Sequence, residues 1–205
     1  MPTLPSIKGS VFCAAVEDIH KLLAAHKLER SELSRWLKPK DLTYLESPIQ
    51  PFEWYDIRSY ARMGELLRDV EGGGSNEYLK RRGAKNARRL LEAGLYSQLE
   101  YTRSTSFGRE SDKKARAEAF GRDLRRLITL TSSILNFSRI EVKPDPEHPL
   151  RWMMETLQAK EYPEVLCWST EGLINEMARQ HATPDLWTWT RPEPDRIVWR
   201  MTRDI

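Results

Sequence analysis

Arg139-Ile-Glu-Val-Lys143, Leu150-Arg-Trp-Met-Met-Glu-Thr156, Pro163 to His181, Asp185-Leu-Trp-Thr-Trp-Thr190 and Arg196-Ile-Val-Trp-Arg-Met-Thr202 follow one another in the last third of the chain. In order they read strand, strand, helix, strand, strand. Within the strand pairs the connections are Pro144-Asp-Pro-Glu-His-Pro149 and Arg191-Pro-Glu-Pro-Asp195, both dense in turn formers. Alternation places Leu150, Trp152, Met154 and Thr156 on one face. Ile197, Trp199 and Met201 share a face opposite Arg196, Val198 and Arg200, and Trp187 and Trp189 fall on one side. This is the pattern of an antiparallel sheet covered on one face.

The chain before Arg139 reads as mostly helical. Val11 to His26 has helical apolar spacing, with Ser10 as the expected N-cap. Glu32 to Leu37 reads as a short helix, capped by Ser31 and stopped at Pro39. Leu42 to Ile49 fits no single pattern. Ile49-Gln-Pro-Phe-Glu53 is an extended connector. Trp54 to Val70 returns to helical period, and Gly72-Gly-Gly74 breaks it. No Gly-Lys-Ser or Gly-Lys-Thr follows those glycines, so they are a turn and not a phosphate loop. Asn76 to Tyr101 and Asp112 to Phe137 read as long amphipathic helices around a Ser/Thr-rich loop, Thr102 to Ser111. The expected fold is α+β: an N-terminal helical bundle (1–138) packed on a C-terminal antiparallel β-β-α-β-β sheet (139–205), in a single domain.

The 205-residue length suits one well-buried core. A net charge of +3 implies no global attraction to nucleic acid or lipid. Two isolated cysteines, Cys13 and Cys167, make no disulfide framework, which points to a reducing cytoplasm. No signal peptide and no membrane-spanning run is visible.

Ile7-Lys-Gly-Ser-Val-Phe12, Ile49-Gln-Pro-Phe-Glu-Trp-Tyr-Asp-Ile-Arg-Ser-Tyr60, Arg82-Gly-Ala-Lys-Asn-Ala87 and Pro163-Glu-Val-Leu-Cys-Trp-Ser-Thr-Glu-Gly172 occur in that order across nearly the whole chain. Together with the closing strand–strand–helix–strand–strand module, they resemble a superfamily of three branches. These are the haem-nitric-oxide-binding domains, the vinyl-reductase domains of bacterial sensors, and the Bet subunits of Golgi-transport tethering complexes. More narrowly, the chain is similar to an uncharacterised family abundant in myxobacteria. The resemblance implies helices leaning on an antiparallel sheet, frequent dimerisation, and an apolar ligand held between helices and sheet. Haem binding in that superfamily uses a proximal histidine and a Tyr-x-Ser-x-Arg motif. Tyr101-Thr-Arg-Ser-Thr105 departs from it, so no haem or other cofactor is expected. Metal-binding vinyl-reductase domains carry clustered cysteines, which this chain lacks.

Each candidate site has a plainer reading. His20, His26, His148 and His181 form no zinc-type pair. His20 could in principle face a haem iron, but an ordinary surface or half-buried histidine is the favoured reading. Cys167 could line a pocket, whereas a buried free cysteine behaves as a small hydrophobe. Five of the seven tryptophans follow Arg139, and Trp152, Trp187, Trp189 and Trp199 would meet on the sheet. They form either an aromatic ligand wall or ordinary core. Lys80-Arg-Arg-Gly-Ala-Lys-Asn-Ala-Arg-Arg89 could track a phosphate backbone, yet no DNA-binding motif accompanies it, and charge runs are commonly a solvated face. The acids single out no catalytic pair, and no catalytic or metal motif appears.

The leading expectation is a non-enzymatic sensory module that binds an apolar small molecule through Trp54, Tyr55, Trp152, Cys167, Trp168 and Trp199. The alternative is a ligand-free interaction or homodimerisation module, using Gly83, Ala84 and Ala87 for close helix approach.

Overall fold

The computed structural model describes residues 4–92, 113–179 and 183–205. Gly94, Leu95 and Leu99 of the expected long helix, the Thr102–Ser111 loop and His181 lie outside them. The chain forms two compact units. One comprises the residues through Leu79 with Ser133–Phe137 and Glu161–Trp168; the other comprises Lys80–Ser132, Ser138–Lys160 and Ser169–Ile205.

The first unit is built on a small sheet. Strand β1 (Ser6–Lys8) pairs antiparallel with β2 (Trp54–Asp56), Ile7 opposite Tyr55. On its other edge Ile7 bridges Leu135, and the Lys8 N–H donates to the Ile134 carbonyl at 2.9 Å. Two expectations are corrected here. The helix expected over Trp54–Val70 begins only at Ile57, because Asp56 is its N-cap and accepts from the Arg58 N–H at 3.0 Å. The helix expected to reach Phe137 ends at Thr131, because Ile134 to Asn136 pair with β1.

Helix α1 (Gly9–Ala24) buries Phe12, Ala15, Val16, Ile19 and Leu22, the three-and-four spacing of one helix face. It starts before Ser10, and Lys8 holds the cap position without a side-chain bond, so Ser10 is not its N-cap. The Arg30–Arg35 stretch is a single 3₁₀ segment whose box pairs Glu29 with Glu32, so the cap is Glu29 and not Ser31. Helix α2 (Pro39–Leu42) carries Asp41, fully buried and gripped by Arg62 of α3 (Ile57–Val70) through Nε at 2.6 Å and Nη2 at 2.7 Å.

The second unit holds the four strands of the expected β-β-α-β-β module and its helix from Ser169 onward. Strands β3 (Arg139–Asp145), β4 (His148–Leu157), β5 (Trp187–Glu193) and β6 (Arg196–Met201) make one antiparallel sheet in the order β3-β4-β6-β5. Helix α6 (Glu164–Arg179) connects β4 to β5. Helix α4 (Asn76–Glu92) starts in the first unit and continues in the second, and α5 (Lys113–Thr131) belongs wholly to the second. The fold class is α+β, as the sequence pattern implies.

Helices α4 and α6 cross with their backbones in contact. A Cβ on Gly83 would sit 1.8 Å from the Ser169 carbonyl oxygen, and one on Gly172 would sit 1.9 Å from the Lys80 carbonyl oxygen. Only hydrogen fits at either position. Gly83 therefore serves contact within the chain, and Ala87 is fully buried.

Candidate functional site

Sheet register decides which aromatic side chains meet. Trp199 on β6 lies opposite Met154 on one side and Trp189 on the other; Trp187 lies opposite Met201. The Trp152 N–H donates to Met201 Sδ at 3.0 Å, which aligns that pair as well. Trp152, Met154, Trp187, Trp189, Trp199 and Met201 therefore share one face, since directly opposed residues point the same way. The Trp189 and Trp199 ring centres are 6.3 Å apart.

Helices α5 and α6 cover this face. Trp152 donates its indole N–H to the Ala117 carbonyl at 2.7 Å. Its ring leaves no room for a Cβ on Gly121, which would come within 2.2 Å, and the Arg125 guanidinium lies 4.5 Å from the ring centre. Phe120 stacks with Trp187 at 6.3 Å. From α6, Asn175 accepts from the Trp187 N–H at 2.7 Å and donates to the Trp187 carbonyl at 3.0 Å. Trp199 is buried and donates to Thr156 Oγ1 at 3.0 Å. Trp189 is half-buried and forms the open end of the row.

Polar chemistry occupies the opposite face. Glu155 is buried there and takes hydrogen bonds from both Lys143 and Arg196. Burial pushes its carboxyl up, but those two bonds outweigh burial and hold it below the ordinary range. On α5, Asp123 behaves oppositely. Burial lifts its carboxyl, and Arg126 and Arg122 offset only part of that. Its Oδ2 has no hydrogen-bond partner among the described residues.

Of the six residues expected to line a site, Trp152 and Trp199 stand on this tryptophan face. The other four belong to the first unit. Tyr55 is buried against Phe12 at 4.7 Å, and its hydroxyl accepts from the Gln50 N–H at 2.9 Å. Trp54 points outward at 43% exposure, with the Lys8 ammonium 4.1 Å above its ring. Cys167 is fully buried on α6, and Trp168 is half-buried with its indole N–H donating to Glu164 Oε1 at 3.0 Å. The expected set omits Trp187 and Trp189. The alternating Trp-Thr-Trp spacing does signal them, but only strand pairing shows that they face Trp199.

The basic stretch on α4 divides. Lys80 pairs with Glu171 at 2.8 Å and Arg88 with Glu176 at 2.9 Å, both acids on α6, while Arg82 is buried. No cluster of three or more metal-binding side chains occurs among the described residues. No described helix is long and apolar enough to cross a membrane.

No family model and no curated protein matches the chain. Solved structures do. A mutant of T. tengcongensis H-NOX aligns with a TM-score of 0.52 at 16% identity, over 97% of this chain and 100% of that one. The fold is that of the H-NOX domains. A Cs H-NOX mutant gives 0.51 at 16% identity over 97% and 98% of the two chains. An H-NOX protein from S. oneidensis in the Fe(II)NO ligation state gives 0.50 at 12% identity over 95% and 98%.

The H-NOX fold implies haem, and haem iron needs a protein ligand aimed at it from inside. Among the described residues no histidine is so placed. His20, His26 and His148 are all exposed on the surface. Haemin added to the purified chain is therefore expected to keep the broad Soret band of free pigment. A sharp, shifted band typical of histidine ligation would contradict this.

Proposed function

We propose that the chain is a cytoplasmic sensory module that works by binding and not by catalysis. It takes an apolar small molecule against the tryptophan face of the sheet. The reading rests on the second unit alone, and so on Trp152 and Trp199 of the originally expected six, joined by Trp187 and Trp189. The observation that carries it is the convergence of four indoles on one sheet face, in a fold shared with an H-NOX protein described with NO on Fe(II). Ligand sites are typically apolar and aromatic with a few placed polar groups. Here the placed groups are Asn175 and Thr156.

Occupancy must favour one arrangement of the protein over another to carry a signal. Helix α5 is the element that ligand would bias, because Ala117, Phe120, Gly121 and Arg125 all rest on the indoles. The half-buried Trp189 marks the end from which a ligand can enter without first removing that helix. Anilinonaphthalene sulfonate should bind the folded protein saturably at a single site. Trp189→Phe should weaken it by roughly fivefold, a smaller ring making an aromatic contact poorer by about 1 kcal/mol. Binding that is non-saturable, or indifferent to Trp189→Phe, would count against the site.

A ligand-free interaction module is the second reading. Phe52 at 87% exposure beside the half-exposed Trp54 favours it, since rigid exposed aromatics commonly anchor partners.

A further inference from the structure

We infer that the outer face of α4 is a docking stripe for a short acidic helix of a partner protein, recognised through Arg81, Lys85 and Arg89. The structure separates the six cations of this stretch by use. Lys80 and Arg88 are neutralised by Glu171 and Glu176, and Arg82 is buried. Arg81, Lys85 and Arg89 are exposed, and none forms an ion pair among the described residues. They recur every four residues, so they stand on one face, about 6 Å apart along the axis. The paired cations hold α4 to α6, which fixes the unpaired ones outward on a rigid support.

The character of the row selects the partner. Exposed carboxylates close both ends: Glu77 lies four residues before Arg81, and Glu92 lies three after Arg89. A continuous polyanion laid along the helix would meet those carboxylates, whereas a short acidic segment would not. The segment Arg81 to Arg89 also contains no aromatic side chain on which a base could stack, the usual companion of single-strand binding. The complementary surface is a helix with three acids at four-residue intervals and a cation beyond each end. No described helix of this chain carries three acids at that spacing, so none of these helices in a second copy supplies it. This inference stands independently of the tryptophan-face ligand.

The test is an NMR titration of the whole protein with a synthetic helical peptide of that pattern, at low salt. A control peptide has the same composition with its glutamates scattered round the helix. Shifts centred on Arg81, Lys85 and Arg89 are expected, with affinity falling on added salt. The combined Arg81→Gln, Lys85→Gln and Arg89→Gln variant should lose roughly tenfold, three exposed ion pairs of modest strength each. A patterned peptide with lysine in place of glutamate, tested on the wild-type protein, should not bind; this arm needs no variant to fold. The inference is overturned if the control peptide or an oligothymidylate binds as tightly as the patterned peptide. It is equally overturned if the folded variant binds the patterned peptide unchanged.

Discussion

Gly83→Ala and Gly172→Ala should each destabilise the protein by about 3 kcal/mol, at the upper end of overpacking costs. Alanine normally strengthens a helix interior relative to glycine by about 1 kcal/mol, so propensity alone predicts the opposite sign. Sterics decide. The added methyl would lie 1.8 Å from the Ser169 carbonyl oxygen in one case and 1.9 Å from the Lys80 carbonyl oxygen in the other. Both obstacles are backbone, which cannot rotate aside as a side chain can. The helices must separate, and the Lys80–Glu171 and Arg88–Glu176 pairs that flank the crossing stretch with them. Urea unfolding should show midpoints lowered by roughly 1–2 M for each variant. Unchanged midpoints would mean that the helices do not approach this closely.

Asp41→Asn should cost about 3 kcal/mol at neutral pH, because it breaks a buried pair and leaves Arg62 facing an amide. Burial alone would raise the Asp41 carboxyl. The hydrogen bonds from Arg62 and Ser59 and from the Lys38 N–H outweigh burial and hold it below the ordinary carboxylate range. Asp56 and Glu155 are likewise raised by burial and pulled down further, Asp56 by Arg58 and Glu155 by Arg196 and Lys143. For these groups the folded value lies below the unfolded one. Their stabilisation is thus complete above the unfolded carboxylate range near about pH 4 and is lost as pH falls toward the folded values. Asp123 has the opposite sign: its raised value means that stability is lost as pH rises through and above the ordinary carboxylate range. Denaturation midpoints measured across acid pH should therefore fall steeply for the wild type and less steeply for Asp41→Asn. Parallel profiles would show that the Asp41–Arg62 pair does not govern acid stability.

The sheet was legible because its information is local. Proline-rich turns bound each hairpin, and Trp-Thr-Trp or Ile-Val-Trp-Arg alternation sets the face, so strand boundaries fall within a few residues of those expected. The small β1–β2 sheet was not, for two reasons. Three residues give no period, and its partner at Leu135 lies far along the chain. Trp54 also stands three residues before Ile57, which mimics helical spacing and hides the turn at Asp56. Composition showed that Gly83 is small but not that Ser169 occupies the space beside it. The α4 cations looked uniform in sequence because the acids that neutralise two of them lie on α6. Trp152 and Trp199 could be placed on the right face from alternation. Their hydrogen-bond partners, Ala117 and Thr156, depend on long-range packing that one sequence does not encode locally.

Native mass spectrometry of freshly purified protein tests the ligand account most directly, since it weighs the subunits and any retained small molecule together. The account predicts a population heavier than the bare chain by the mass of one apolar compound, which is released on activation in the gas phase. Bare chains, or assemblies of bare chains, that also fail to take up anilinonaphthalene sulfonate would contradict it and leave the interaction module as the reading that stands.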